Sequence, residues 1–257
     1  MFFENQKLDK NSSVPLYYQL QNIIIETIKR NKIKEGAMLP TEIEISKIFN
    51  ISRPTVQKAL NNLVTKGYLH RIKGKGTFVT KPKITQEYTR FIESYNEQMK
   101  KSGLIPKTKL LEKKVIEADE KIASKLNIRA GEKVIKLKRL RFAIHVEEEI
   151  ISDLNKPVLV TTVYTPYNLL PSIMNYDFEV FSFYEVLDKN NLSVKRVTRE
   201  IESKNSDIET ANILEINEGD AVSIITSIGF LENGTPIEYS ESIYPGERNK
   251  FVLEISR

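Results

Sequence analysis

The chain contains no cysteine and no tryptophan, and only two histidines, His70 and His145. The missing cysteines exclude disulfides, thiolate metal sites, iron–sulfur clusters and cysteine nucleophiles. Two histidines cannot build a histidine-rich metal site, and they leave little for imidazole acid–base catalysis. No apolar run approaches the ~20 residues that a membrane-spanning helix needs. Met1-Phe2-Phe3-Glu4-Asn5 lacks a basic start followed by an apolar stretch, so no secretory signal is expected. What is present is a chain of 257 residues with 40% hydrophobic residues, 11 Phe and 11 Tyr, enough for one large core or two smaller ones. A cytoplasmic protein without cofactor or metal, and with no membrane partner, is the expectation.

The net charge of +5 conceals an asymmetry. Residues 1–83 hold 15 Lys+Arg against 6 Asp+Glu, a net of +9. The remainder holds 24 against 28, a net of −4. A basic module on an acidic body suits nucleic-acid binding joined to something else, although surface lysines that merely solvate a fold give the same count.

The basic part reads as an ordered series of short elements. Leu16, Leu20, Ile23, Ile24 and Ile28 recur at helical spacing, with Pro15 tolerated at the helix start. Gly36 and Pro40 break the chain. Thr41-Glu42-Ile43-Glu44 matches a capping box and opens a short helix to about Asn50. Ser52 caps a third helix with Pro54 in its first turn, and Gly67 stops it. Two β-prone runs then flank Lys73-Gly74-Lys75-Gly76-Thr77, a basic hairpin tip with little side-chain bulk.

This is the layout of a winged helix-turn-helix. Its third helix would offer Ser52, Arg53, Thr55, Gln57 and Lys58 to the major groove of double-stranded operator DNA. Arg53 can bind guanine O6 and N7, Gln57 can pair with adenine, and Ser, Thr and Lys can hold phosphates. Lys73, Gly74, Lys75, Gly76 and Thr77 would approach a backbone or minor groove, and Thr41 completes the candidate DNA surface.

Pro15-Leu16-Tyr17, Leu39-Pro40-Thr41-Glu42, Ser52-Arg53-Pro54-Thr55-Val56 and Gly74-Lys75-Gly76-Thr77-Phe78-Val79 resemble the DNA-binding domain of GntR-family bacterial transcription regulators. The family's usual base-reading arginines are replaced by Ile43 and Gln57, so its usual palindrome does not transfer.

Beyond Lys81-Pro82-Lys83, the reading is a winged head over residues 10–80, a linker over 81–86 and a body over 87–257. Helices are expected from Tyr88 to Lys101, Asp119 to Leu126, Phe181 to Lys189 and Asp207 to Leu214. Strands are expected from Lys109 to Ala118, Val134 to Ile151, Pro157 to Tyr164, Val194 to Glu202, Ala221 to Leu231 and Pro236 to Tyr244. Asn233-Gly234 marks the hairpin between the last two. The sum is an α+β domain with an antiparallel sheet.

This body resembles the UTRA domain of the HutC subfamily, through Leu126, Ile128, Gly131, Glu132 and Val134, then Arg139-Leu140-Arg141, Asp153 to Pro157, Ser182-Phe183-Tyr184 and Gly234 to Tyr239. The resemblance implies a chorismate-lyase-like fold, a homodimer, and a small-molecule effector that repositions the DNA-binding heads. By strand alternation alone, Arg139 and Arg141 share one face. Paired guanidinium groups suit a phosphate or a carboxylate, and solvated or ion-paired arginines have the same spacing.

The resemblance places Arg139, Arg141, Ser182 and Tyr184 on the phosphate of a sugar phosphate, with Ser182 at a helix start that itself suits an anion. It places Thr89, Arg90 and Phe91 at a phosphate cradle, with Arg90 replacing a small residue, and Glu238 and Tyr244 on sugar hydroxyls. Thr161 stands where amino-sugar sensors carry Glu, which favours a neutral sugar phosphate. Function is therefore expected to be that of a ligand-responsive repressor of a carbohydrate operon. A carboxylate sensor is the second reading. A lyase-like enzyme is the third, and no nucleophile–base pair supports it.

Overall fold

The computed structural model describes residues 3, 6–30, 32–80, 82–87, 92–145 and 156–253. It divides into two compact units, Met1–Lys83 and Ile84–Arg257.

The first unit contains helices α1 (Leu16–Lys29), α2 (Glu42–Phe49) and α3 (Arg53–Thr65), then strands β1 (Leu69–Ile72) and β2 (Gly76–Val79). The starts of α2 and α3 are set by local side-chain caps, whereas α1 begins after Pro15 without one. At α2, Thr41 N donates to Glu44 Oε2 at 2.7 Å and Glu44 N donates back to Thr41 Oγ1 at 3.3 Å. At α3, Thr55 N donates to Ser52 Oγ at 3.3 Å. Leu20, Ile24 and Ile28 of α1 pack with Ile45, Phe49, Val56, Leu60, Leu63, Leu69 and Val79 in one core. β1 and β2 pair antiparallel, and residues 36–39 lie along β2, with Leu39 N donating to Thr77 O at 2.8 Å. Gly76 has φ +135 and its α-carbon lies against Met38, so an added Cβ would sit 3.0 Å from Met38 Sδ. The backbone angle is what requires glycine there, since Met38 is exposed and its flexible end can move aside.

The second unit is built on a six-stranded antiparallel sheet ordered β4-β5-β6-β9-β8-β7. The strands are β4 (Leu104–Glu117), β5 (Lys133–His145), β6 (Leu159–Pro166), β7 (Arg196–Asn205), β8 (Ala221–Phe230) and β9 (Pro236–Pro245). Helix α6 (Phe183–Lys189) and a 3-10 turn (Pro171–Asn175) pack with Ile135, Leu137 and Val163, residues of alternate parity that share one sheet face. Helices α5 (Glu120–Leu126) and α7 (Ile208–Leu214) pack with Val134, Leu140, Val160 and Tyr239 on the other. A parallel pair, β3 (Ile84–Glu87) with β10 (Asn249–Val252), stands apart from this sheet.

Several expected boundaries differ from those of the structure. The helix expected from Tyr88 starts at Tyr95 as α4 (Tyr95–Lys101), because Ser94 and Glu97 form a capping box there; residues 88–91 lie outside the described residues. The strand expected from Lys109 starts at Leu104 and includes Pro106. Its missing N–H is tolerated because β4 is an edge strand, paired only with β5 among the described residues. Residues 84–86, read as linker, belong to β3. The long run expected to reach Ile151 is strand to His145, and residues 146–151 lie outside the described residues.

Candidate functional site

On the first unit, Val56, Ala59, Leu60 and Leu63 take the inner face of α3. That turns Ser52, Arg53, Gln57 and Lys58 outward, with Thr55 half-buried. Ser52 Oγ and Thr55 Oγ1 lie 2.7 Å apart, so both hydroxyls brace the helix start. Lys58 Nζ sits 3.9 Å from the centroid of the Tyr17 ring, a cation–π contact that holds its stem toward α1. Lys73, Gly74, Lys75 and Gly76 are exposed at the β1–β2 turn, where Lys75 N closes on Ile72 O at 3.0 Å, and Thr77 is half-buried. Thr41 is exposed while serving as the α2 cap. An ion pair between Arg71 and Glu42, at 2.9 Å, ties the hairpin to the start of α2. Beside it Ile43 is 48% exposed, an apolar side chain on a basic surface.

On the second unit a cavity opens over the sheet face that carries α6. Strand register assembles it. Arg139 pairs with Thr161, Thr161 with Ser242, and Ser242 with Ile225, one row across four strands. Val163, Ser240, Ser227 and Arg199 form the next row. Residues two apart on a strand share a face, so Arg141, Glu238 and Tyr244 join them. Ser182, Phe183 and Tyr184 from the start of α6, with Ser94, Tyr95 and Gln98 from around α4, complete the wall. The cavity itself measures about 140 Å³ and opens to solvent.

The electrostatics of this cavity are unusual. Arg139 is 2% exposed and Arg141 4% exposed. Arg141 Nη1 donates to Thr108 Oγ1 at 2.6 Å, and its guanidinium lies 5.2 Å from the Tyr95 ring centroid. Arg139 lies 5.6 Å from the Phe178 ring. Arg139 Nε and Nη1 and Arg141 Nε find no hydrogen-bond acceptor among the described residues. Burial, reinforced by Arg141, pulls Arg139 well below its ordinary value. Burial likewise brings Arg141 down to about 10, against the opposing pull of Tyr95 and Tyr244. Both guanidinium groups remain protonated at neutral pH. Two buried like charges with unmet donors are costly unless an anion joins them.

Opposite charge lies nearby. Burial raises Glu238, while hydrogen bonding from Ser240 and Tyr184 and the charges of Arg199 and Arg139 hold the rise in check. Its Oε2 has no hydrogen-bond donor among the described residues. Burial also pushes the Tyr184 hydroxyl well above its ordinary value, with Glu238 adding to the shift. Ser182 Oγ accepts from Glu185 N at 3.0 Å as the α6 cap, which leaves its hydroxyl hydrogen to donate. The arrangement can hold an anion at the arginines and a hydrogen-bond donor at Glu238.

Arg139, Arg141, Thr161, Ser182, Tyr184, Glu238 and Tyr244 therefore line one cavity. Thr161 accepts from Ser242 Oγ at 2.8 Å. Thr89, Arg90 and Phe91 lie outside the described residues. Sequence reasoning missed Tyr95, Arg199, Ser227, Ser240 and Ser242. The polar alternation Glu238, Ser240, Ser242 along β9 was the available signal; Tyr95 and Arg199 offered none. No group of three or more His, Cys, Asp or Glu able to hold a metal ion occurs among the described residues. No helix among them is long and apolar enough to cross a membrane.

A winged helix-turn-helix unit followed by such a body is the architecture of a DNA-binding transcription regulator. The chain belongs to the GntR family: residues 16–79 match the model for bacterial regulatory proteins of the gntR family, and residues 101–250 match the UTRA domain. It is 33% identical to the HTH-type transcriptional repressor NagR of Bacillus subtilis (strain 168), over 97% of this chain and 98% of that protein. It is 27% identical to the mannosyl-D-glycerate transport/metabolism system repressor MngR of Escherichia coli (strain K12), over 95% and 97%. The fold is shared with PhnF from Mycobacterium smegmatis at a TM-score of 0.66 and 24% identity, covering 93% of this chain and 98% of that one.

Proposed function

We propose that the protein is a homodimeric repressor of a carbohydrate uptake or catabolism operon, released from its operator by a sugar phosphate. The observation that supports this reading is the pair of buried arginines, whose Arg139 Nε and Nη1 and Arg141 Nε lack an acceptor among the described residues, an arrangement that an anion would complete. Arg139 and Arg141 receive the phosphate, with Ser182 donating from the α6 start and Tyr184 beside it. Thr161, Glu238 and Tyr244 face the sugar hydroxyls, and the family resemblance alone assigns Thr89, Arg90 and Phe91, outside the described residues, to the phosphate. A carbohydrate ligand is supported by the named role of MngR in mannosyl-D-glycerate transport and metabolism. On the head, Arg53 and Gln57 read base edges. Thr41, Ser52, Thr55, Lys58 and the tip Lys73, Gly74, Lys75, Gly76 and Thr77 hold the backbone.

The test is a thermal-shift screen of sugar phosphates against the corresponding sugars and nonphosphorylated acids. A ligand that binds only the folded state raises the melting temperature. Stabilisation by sugar phosphates is expected. Stabilisation by nonphosphorylated acids alone would refute the choice of effector in favour of a carboxylate.

A further inference from the structure

A second buried polar cluster lies at the end of the body from which the chain leaves toward the head, and the anion site does not use it. Gln86 on β3 is 2% exposed and Asn249 on β10 is 5% exposed. Gln86 Nε2 donates to Asn249 Oδ1 at 3.0 Å. Asn249 Nδ2 in turn donates to Val158 O at 2.9 Å and Pro245 O at 3.0 Å. Val158 N donates to Arg141 O at 2.7 Å. Three hydrogen bonds thus run in series from the backbone of a cavity arginine, through Val158 and Asn249, to the strand that follows Lys83.

The surroundings are braced. Arg248 Nη1 donates to Pro157 O at 2.8 Å and Leu214 O at 2.6 Å, and Nη2 to Glu215 O at 2.6 Å. Ile84 N donates to Arg248 O at 2.8 Å. Tyr244, which lines the cavity, meets Phe251 edge-on at 5.2 Å between centroids, and Phe251 pairs with Gln86 in the β3–β10 register. Asn249 is buried with its carbonyl and both amide hydrogens engaged, so it has few alternative partners and a shift at one end is passed on rather than absorbed.

We propose that Asn249 and Gln86 are positioning residues that transmit the state of the Arg141 end of the cavity to β3, and thereby to the segment entering the DNA-binding head. The consequence for DNA release rests on the reading of the cavity as the effector site; the relay itself does not. Asn249 is not among the residues that line the cavity, and acts through Val158 and Gln86.

The experiment is amide hydrogen exchange on the full chain, read on the peptide covering residues 82–87. It compares wild type, Arg141→Ala, Gln86→Met and the double variant. Gln86→Met keeps the volume and breaks only the last link. Coupled sites are expected to interact by about fivefold or more. Arg141→Ala should therefore change exchange in this peptide by at least about fivefold in the wild-type background, and by less than about twofold with Gln86→Met. Equal changes in both backgrounds, as a merely structural Gln86 would give, overturn the proposal. So does the absence of change in the wild-type background. Asn249→Asp keeps the acceptor for Gln86 and removes the donor to Val158; it must abolish the coupling too, and it stands in if Gln86→Met does not fold. Coupling that survives Asn249→Asp overturns the relay.

Glucose 6-phosphate at constant ionic strength is the ligand arm. It should alter exchange in the wild-type peptide, and bind Gln86→Met within about twofold of wild type without altering it. The same alteration in both proteins overturns the relay. If the probe fails to bind wild type while the variant cycle stays non-additive, glucose 6-phosphate falls as the effector and the relay stands.

Discussion

Arg53 at the start of α3 is exposed, whereas Arg139 in the middle of β5 is buried beside a second arginine. The two residues carry the same group into opposite situations. An exposed guanidinium is hydrated in the free protein, and its gain on binding comes from displaced counterions and from the geometry of a base edge. A buried guanidinium has already lost its water. Its cost is borne by the free protein and is offset only when an anion enters. The head should therefore lose affinity with salt and change little in stability when a contact is removed. The body should trade stability against ligand affinity.

The largest expected effect is at the cavity. Arg139→Met should weaken sugar-phosphate binding by about 10- to 100-fold, the value of one or two hydrogen bonds to a charged group. The free protein should melt at the same temperature or higher, because an apolar group of similar length replaces an unpaired charge. Calorimetric titration and melting curves check the two halves; a less stable variant with intact affinity would break the contrast. On the head, Arg53→Ala should cost roughly 1–3 kcal/mol of operator affinity and relax one base preference if it reads guanine. Its stability should stay within about 0.5 kcal/mol of wild type. Binding measured on a panel of single-base operator variants would remove Arg53 from that role if the preference is unchanged.

Smaller effects sharpen the same contrast. Thr41→Ala removes the α2 cap and should cost about 1 kcal/mol in stability, seen in denaturant melts of the whole chain. Glu238 supplies the pH test. Burial raises its folded-state value above that of the unfolded chain, so the folded state holds the proton more tightly. Its contribution is then most favourable below the ordinary carboxylate range and declines as pH rises through the raised value. Glu238→Gln should flatten that part of the stability profile, and melts between about pH 4 and pH 7 read it directly. A profile unchanged by the substitution would show that Glu238 is not held as the cavity geometry implies. Least of all, Lys75→Ala should lower operator affinity uniformly across sequences and reduce the salt slope by about one.

The same difference governs what could be read in advance. The head was legible because its instructions are local: Thr41 with Glu44, Ser52 with Thr55, and the glycines of the hairpin each act within a few residues. The Arg139 and Arg141 pairing followed from strand alternation, but their burial depends on Phe178, Tyr95 and α6, distant in sequence. Arg199 reaches the site only because β7 is added beyond β8. The parallel β3–β10 pair joins residues 163 apart, as in Gln86 with Asn249, and no periodicity announces it. The α4 start was misplaced because apolar spacing outran the Ser94 capping box, a local signal that was present and overlooked.

In the proposed function an anion in the cavity governs the hold of the head on DNA. Fluorescence anisotropy on DNA from upstream of the protein's own coding sequence, with and without glucose 6-phosphate at fixed ionic strength, tests it most directly. A salt-sensitive, sequence-specific complex is expected, which the sugar phosphate dissociates in wild type but not in Arg139→Met. A complex equally stable to the sugar phosphate in both proteins would contradict it.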